Sequence, residues 1–219
     1  MTAYRIAIVE DHQLLAESLR IALTARGLQV AVFGLGSPAE LRTSLVGAAP
    51  HVVLLDLDLG AAGSGLGLVR PLTERGIAVV VVSGSTDRLS YARAVEEGAV
   101  GYVIKTTAVD HLLAAVQKVA CGGALLTSTE RKVLLAELEQ ARARDACRHA
   151  PYERLTDRER DALQALADGQ AVREIATGWS VSEATVRTHV QRVLHKLGVT
   201  SQLAAVAQAH RHGWLRHPR

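Results

Sequence analysis

The chain has 219 residues and a net charge of +3, with 48% hydrophobic and 21% charged residues. This length suits two domains that each bury a core, and the composition excludes a mostly disordered chain. The longest apolar run, Ile77–Val82, is too short to span a membrane, and the first residues lack the features of a secretory signal peptide.

Residues 1–125 alternate short β-branched runs with amphipathic stretches, a pattern that predicts five βα units. Two runs, 52–55 and 79–82, are apolar throughout, which is typical of central parallel strands buried on both faces. We therefore predict a doubly wound α/β domain with a five-stranded parallel sheet. The predicted strands are Arg5–Val9, Gln29–Phe33, Val52–Asp56, Val79–Ser83 and Tyr102–Lys105, and the predicted helices lie near 13–25, 37–46, 65–75, 87–97 and 108–120.

Residues 126–151 predict a helical or partly helical linker, rich in Ala, Glu and Arg, that ends where Pro151 interrupts the pattern. Its apolar stripe consists of Val133, Leu134 and Leu138. Residues 152–219 contain helical patterns only, near 157–167, 172–178, 183–197 and 201–212. This last region carries 10 Lys and Arg against 7 Asp and Glu, whereas residues 1–125 carry 10 against 11. The difference favours a basic, nucleic-acid-facing module on an acidic first domain.

Three carboxylates follow neighbouring strands of the predicted sheet. Glu10 and Asp11 close the first strand and Asp56 closes the third, so a 2-1-3 strand order brings them to one edge. Three acids without a counter-charge would repel each other, and oxygen ligands of this kind select Mg²⁺. Ser83 and Lys105 end the fourth and fifth strands and add a hydroxyl and an ammonium. This set predicts a phosphoryl-transfer site.

The set Glu10, Asp11, Asp56, Ser83 and Lys105 resembles the receiver domain of two-component response regulators across residues 1–125. The resemblance implies a flavodoxin-like sheet of order 2-1-3-4-5 and a phosphoryl group transferred to Asp56 from a sensor histidine kinase. It further implies that Lys105 contacts the phosphate. A Mg²⁺ ion would be held by Asp11, Asp56 and the backbone carbonyl of Asp58, with Glu10 holding metal-bound water. Ser83 and Tyr102 would be the switch pair, the two residues that rearrange when Asp56 is phosphorylated.

The segment after Asp56 departs from that family. Gly60 stands in the usual position of a proline, one residue is inserted, and four glycines occur between 60 and 67. Because glycine lacks the fixed φ of proline, we expect a looser loop and altered phosphorylation or hydrolysis kinetics.

A second interpretation of Asp56-Leu57-Asp58 is the DxD core of haloacid-dehalogenase-type phosphatases. That family places the motif on its first strand and needs room for a cap, whereas here the motif follows the third strand of a domain of about 125 residues. Turnover of a phosphate ester that is abolished by Asp58→Ala would revive this enzyme interpretation. We otherwise expect no enzyme beyond autophosphorylation from a donor and autodephosphorylation.

In the last region, a short helix and a turn precede Ser182, an N-cap candidate for a longer helix. At about 100° per residue, one face of that helix is apolar, with Val186, Val190, Val193, Leu194 and Leu197. The opposite face is polar, as a recognition helix in the major groove requires. An ordinary amphipathic surface helix has the same periodicity.

The wider stretch from Leu155 to Leu215 resembles the LuxR/NarL-type four-helix DNA-binding domain, which decides between the two. The resemblance rests on Leu155-Thr156, Arg158-Glu159, Glu174-Ile175-Ala176, Ser182, Thr185-Val186, His189 and Lys196-Leu197. It implies base contacts by Arg187, Thr188 and Gln191, and places Thr185, Arg192, His195 and Lys196 near phosphates. His189 is expected to face its own domain. This sequence departs from the family pattern at three positions. Ala171 stands at an N-cap where the family usually has Ser or Thr, and Ser180 stands where the turn usually has Gly. Trp179 replaces the usual Leu and is expected to fill the resulting gap in the packing.

We therefore expect a cytoplasmic response regulator with a receiver (1–125), a helical linker (126–151) and a LuxR-type helix-turn-helix domain (152–219). Its expected partners are a histidine kinase, a pseudo-palindromic double-stranded DNA site and a second copy of the chain paired through residues 201–212. No membrane association is expected. The alternative is an orphan DNA-binding regulator that acts without phosphorylation.

Overall fold

The structure is a computed structural model that describes residues 4–84, 86–107 and 109–215. The chain divides into two compact units, Met1–Glu139 and Gln140–Arg219.

The first unit contains a five-stranded parallel sheet in the order β2-β1-β3-β4-β5. The strands are β1 (Arg5–Val9), β2 (Gln29–Phe33), β3 (Val52–Leu55), β4 (Ala78–Ser83) and β5 (Gly101–Ile104). The residues of β3 are all buried, and so are those of β4 after Ala78, as expected for central strands with helices on both faces. The predicted fold and strand order are confirmed, with the strand ends moved by one residue at most.

Helices cover both faces of the sheet. The helices α1 (Gln13–Thr24) and α5 (Val109–Ala120) pack on one face, where Leu23 and Val116 are fully buried. The opposite face carries α2 (Pro38–Ala48), α3 (Leu66–Thr73) and α4 (Arg88–Glu96). The predicted start of α5 at residue 108 lies outside the described residues.

One long helix, α6 (Ser128–Glu153), runs through the predicted linker and belongs to both units. Its first half packs on the second face of the sheet through Leu134 and Leu138, whereas Val133 is half exposed, so the predicted stripe is only partly buried. The expected break at Pro151 is wrong. The helix ends two residues later, which confines the missing N–H donor to its last turn, and burial of Tyr152 in the second unit stabilises that turn.

The second unit is helical. After α6 it contains α7 (Asp157–Ala167), α8 (Val172–Trp179), α9 (Glu183–Leu197) and α10 (Gln202–Arg211). These helices enclose a core that includes Leu163, Ile175 and Val193. Side-chain caps at Thr156, Ser182 and Ser201 begin three of the helices, because each hydroxyl accepts a hydrogen bond from a first-turn N–H.

Across the described parts of the chain, no helix combines the length and apolar character needed to cross a membrane.

Candidate functional site

The strand pairing brings Glu10 and Asp56 to the same edge of the sheet. Val9 pairs with Leu55, and the Asp56 N–H donates to the Val9 carbonyl at 2.9 Å. Glu10 and Asp56, which directly follow these paired residues, therefore lie side by side. Both are buried, with 6% of Glu10 and 3% of Asp56 exposed. Asp11 follows Glu10 and lies closer to the surface. The predicted convergence of the three acids at one edge is therefore present.

Lys105 compensates two of these acids directly. Its Nζ lies 2.6 Å from Glu10 Oε1 and 2.6 Å from Asp56 Oδ2, and its backbone N–H donates to the Ser83 carbonyl at 2.9 Å. Burial lowers the pKa of Lys105, but hydrogen bonds to Asp56 and Glu10 raise it by more, so the pKa lies above its ordinary value. The ammonium predicted at this edge therefore lies within hydrogen-bond distance of two of the three acids.

His12 also reaches the acidic cluster, which the sequence analysis missed. Its Nδ1 lies 2.6 Å from Asp11 Oδ1 and 3.1 Å from Glu10 Oε1, and its N–H donates to Glu10. These contacts, above all the one with Asp11, raise the pKa of the exposed His12 imidazole. Its position directly after Glu10-Asp11 was the only clue, since a lone histidine at a strand end has no distinctive pattern.

The cluster can hold a metal ion. Glu10, Asp11, His12 and Asp56 each offer one ligand atom, and these atoms lie within 4.8 Å of one another. The three carboxylates supply the oxygen ligands that suit a hard divalent cation. Asp58, the fourth predicted metal residue, is exposed, and its N–H donates to Asp56 Oδ1 at 3.1 Å.

The loop after Asp56 makes specific backbone contacts, and its expected looseness stays a prediction. The Leu59 N–H donates to the Gly63 carbonyl at 2.9 Å, and buried Leu59 anchors the segment in the core. Gly60 has φ of 55°, which a proline cannot adopt, and this explains its replacement of the usual proline. At Gly65 a Cβ atom would approach the Asp56 carbonyl oxygen to 2.1 Å, so only glycine fits there. The expected change in kinetics stays a prediction.

The predicted switch residues Ser83 and Tyr102 meet through a third residue, Tyr91 of α4. The Tyr91 and Tyr102 rings stack with centroids 4.1 Å apart and an angle of 7°, and the Tyr91 hydroxyl is hydrogen-bonded to Ser83. Both Ser83 and Tyr91 are buried. Tyr91 was not predictable as a site residue, because an aromatic residue within an amphipathic helix normally belongs to the core.

The second candidate site lies on α9. Its buried residues are Val186, Val190, Val193, Leu194 and Leu197, which confirms the predicted apolar face. The predicted DNA-facing residues are exposed, except that Lys196 is half-buried: Thr185, Arg187, Thr188, Gln191, Arg192, His195 and Lys196.

Several of these polar side chains are held by contacts within α9. Arg187 Nη2 donates to Glu183 Oε2 at 3.0 Å, and the Thr188 hydroxyl donates to the Ala184 carbonyl at 2.9 Å. Thr185 lies at the cap, where its Oγ1 is 2.9 Å from the Ser182 hydroxyl. Arg187 and Thr188 are therefore bonded within α9, whereas Thr185 is bonded to the N-cap residue before it.

Lys196 differs from the rest of this set. Its Nζ donates to Glu159 Oε2 at 2.6 Å and to the Arg154 carbonyl at 2.8 Å. Burial raises the pKa of Glu159, but Lys196 and Thr156 lower it by more, so that it lies below its ordinary value. This ion pair joins the end of α9 to the start of α7.

The three departures around α8 have visible consequences. Ala171 offers no side-chain cap, and its N–H donates to Glu174 Oε2 at 2.7 Å. Ser180 ends the helix with φ of 56°, the left-handed conformation expected of a residue in a glycine position. Trp179 packs against the core between the Arg158 guanidinium, 5.1 Å from its centroid, and the His189 ring at 6.1 Å. His189 therefore faces its own domain, as predicted.

A receiver-like α/β unit with an acidic strand edge, followed by a helical unit with an exposed polar recognition helix, defines a DNA-binding response regulator. Comparisons with known proteins agree. The family model for the response regulator receiver domain matches residues 6–117, and that for the bacterial regulatory proteins of the luxR family matches residues 153–209.

Similar proteins cover nearly the whole chain. The transcriptional regulatory protein DegU of Brevibacillus brevis is 30% identical over 97% of this chain and 95% of its own length. The nitrate/nitrite response regulator protein NarL of Escherichia coli is 30% identical over 94% of each. A solved structure of the response regulator RcsB with DNA matches with a TM-score of 0.52 and 20% identity, over 95% of this chain and 98% of that one. The last supports the fold alone.

The chain belongs to the NarL/FixJ-type response regulators, which join a receiver to a LuxR-type DNA-binding domain. It is accordingly a DNA-binding transcriptional regulator, in a family of regulators rather than of classical enzymes.

Proposed function

We propose that this chain acts in the cytoplasm, that Asp56 accepts a phosphoryl group from a sensor histidine kinase, and that this modification switches DNA binding. The observation that carries the proposal is the contact of one ammonium, Lys105, with both Glu10 and Asp56 at 2.6 Å. An Asp56 carboxylate oxygen attacks phosphorus, the phosphorus–nitrogen bond of phosphohistidine breaks, and the leaving imidazole keeps the electron pair and takes up a proton. The same carboxylate accepts the group from a small phosphodonor, and water later removes it.

The chain's own residues divide the work around this step. Lys105 neutralises the incoming phosphoryl oxygens as it moves from the carboxylates, and Ser83 donates a hydrogen bond to one of them. Asp11, Asp56 and the backbone carbonyl of Asp58 would hold Mg²⁺, with Glu10 accepting hydrogen bonds from its water. Mg²⁺ held by these residues would offset the negative charge that develops during the transfer.

For the second unit, we propose that Arg187, Thr188 and Gln191 reach base edges in the major groove. Thr185, Arg192, His195 and Lys196 then lie near phosphates, which position the helix without reading sequence. A homodimer on a pseudo-palindromic site is supported by Leu203 of α10, whose side chain is largely exposed although α10 buries Ala205 and Ala209. Within this scheme the receiver spans 1–125, the linker 126–151 and the DNA-binding domain 152–219.

Intact mass after incubation with a small phosphodonor and Mg²⁺ tests the phosphorylation. We expect the mass of one phosphoryl group to be added, to be lost on mild base treatment as an acyl phosphate is, and to be absent from Asp56→Asn. The matched control Asp87→Asn removes a carboxylate that caps α4 and should still be phosphorylated. Equal labelling of Asp56→Asn and of the native chain would overturn the proposal.

A further inference from the structure

The hydroxyl that serves the phosphoryl group is already bonded elsewhere in the structure. Ser83 is 4% exposed and is hydrogen-bonded to the Tyr91 hydroxyl, and Tyr91 is itself 2% exposed. To donate to a phosphoryl oxygen on Asp56, the Ser83 hydroxyl must turn away from Tyr91 or share its hydrogen bond with it. A buried phenol left without its partner is unfavourable, so movement of Ser83 disfavours the present position of Tyr91.

Tyr91 passes such a change to Tyr102 and to α4. The two rings are stacked face to face at 4.1 Å, so displacement of one ring removes packing contacts from the other. A cavity of about 220 Å³ adjoins Tyr102 and is lined by Arg88, Leu126 and Val133 among others, which leaves space for a rearranged ring.

The first half of α6 is attached to the same part of α4. Leu134 and Leu138 are buried in the cluster that contains Tyr91 and Val95. The Arg131 Nη2 donates to the Val95 carbonyl at 2.8 Å, so a charged side chain binds the end of α4. This contact depends on the position of α4.

A two-pronged ion pair adds to this attachment at the other end of α4. Arg88 donates to the two carboxylate oxygens of Glu137 at 2.9 and 3.0 Å. The helix held in this way continues without interruption into the second unit.

We propose that Tyr91 is a positioning residue that holds Ser83 away from the phosphoryl site and links that hydroxyl to the docking of α6 on α4. In the unphosphorylated chain Ser83 bonds Tyr91, the two tyrosines stack, and residues 128–139 stay docked. When Ser83 turns to the phosphoryl oxygen, Tyr91 and Tyr102 repack towards the cavity and the α6 contacts weaken. The inference rests on the proposed phosphorylation of Asp56.

The test uses the full chain and beryllofluoride with Mg²⁺ as the phosphoryl mimic. Tyr91→Phe removes the hydroxyl and keeps the stacked ring. We expect it to bind beryllofluoride about two- to tenfold more tightly, the fold-change of one hydrogen bond that no longer has to be broken. Tyr4→Phe is the matched control, since Tyr4 stacks on His51 beside the start of β1, away from the carboxyl ends of the strands, and should leave the affinity unchanged.

Hydrogen exchange of the amides of residues 131–138 provides the second measurement. In the native chain beryllofluoride should raise their exchange several-fold, and in Tyr91→Phe this increase should be lost although beryllofluoride binds. A merely structural defect would instead raise exchange with and without the mimic.

Two results separate the inference from the function on which it rests. If Tyr91→Phe matches the native chain in both measurements, the role of Tyr91 is wrong while phosphorylation stands. If the native chain binds no beryllofluoride, the proposed phosphorylation itself fails.

Discussion

The acidic edge of the receiver and the exposed face of α9 organise their polar side chains in opposite ways. At the acidic edge Glu10 and Asp56 are buried and share the Lys105 ammonium, so the site is assembled before any partner arrives. On α9 most of the polar side chains are exposed, and some bond within the helix, for example Arg187 with Glu183. A preorganised interior site suits chemistry on a small group, whereas an exposed face suits recognition of a macromolecule.

Lys105→Ala disrupts the acidic edge and is expected to have the largest effect, a loss of phosphorylation rate. The variant leaves two buried carboxylates without their ammonium and removes the cation that meets the phosphoryl oxygens. We expect the rate of phosphorylation by a small donor to fall about a hundredfold, the order found when one such donor is removed. Lys118→Ala, an exposed lysine of α5, serves as the control. An unchanged rate in Lys105→Ala would show that the buried contacts do not serve the chemistry.

Arg187→Ala tests the exposed face. If Arg187 reads a guanine, its loss should weaken binding to the specific site by about 1–3 kcal/mol and leave binding to unrelated DNA nearly unchanged. Arg192→Ala should weaken both by a similar factor, because a phosphate contact carries no sequence information. Titrations of both DNAs at one salt concentration measure the difference. If Arg192→Ala affected only the specific site and Arg187→Ala weakened binding to both DNAs, Arg192 would read a base and Arg187 would contact a phosphate.

Lys196 lies on the proposed DNA-binding helix but also pairs with the buried Glu159. The pH dependence of stability measures the contribution of this pairing to the fold. The depressed pKa of Glu159 means that its pairing with Lys196 stabilises the second unit above the ordinary pKa of about 4.5. That stability is lost as pH falls through the lower folded value. Lys196→Met should therefore lower the stability at neutral pH by about 1–2 kcal/mol and flatten the acid limb.

Tryptophan fluorescence measures this in the full chain, because Trp179 and Trp214 both lie in the second unit. Arg192→Met is the control with an exposed cation. If Lys196→Met weakens DNA binding without any loss of stability, Lys196 is a phosphate contact rather than part of the fold.

Ala171→Ser has the smallest expected effect. A serine at this N-cap would accept the first-turn N–H that alanine leaves without a side-chain partner, and should stabilise the second unit by about 1 kcal/mol. Chemical denaturation followed by tryptophan fluorescence detects this gain. Unchanged stability would mean that the Glu174 contact with the Ala171 N–H already suffices.

The sequence predicted those features that depend on local pattern. Apolar runs placed the five strands, and the residues directly after them, such as Asp56, marked the acidic edge. Periodicity also placed the buried face of α9. Contacts that depend on packing between distant elements were not predictable, among them the Ser83–Tyr91–Tyr102 arrangement. The course of α6 through Pro151 was missed because a single proline near a helix end weakens only one turn.

The loop from Gly60 to Gly65 shows a further limit of sequence reasoning. Its glycines suggested looseness, but two of them meet specific backbone demands, a positive φ at Gly60 and a close approach to the Asp56 carbonyl at Gly65. Composition alone does not distinguish a glycine that gives freedom from one that a compact turn requires.

The most direct test asks whether the buried acidic edge around Asp56 controls DNA binding by the exposed face of α9. It measures the affinity for a specific DNA site with and without beryllofluoride. Beryllofluoride should change the affinity of the native chain and leave that of Asp56→Ala unchanged. Equal affinity of the native chain in both conditions, matched by Asp56→Ala, would contradict the phosphorylation switch and favour a regulator that acts without it.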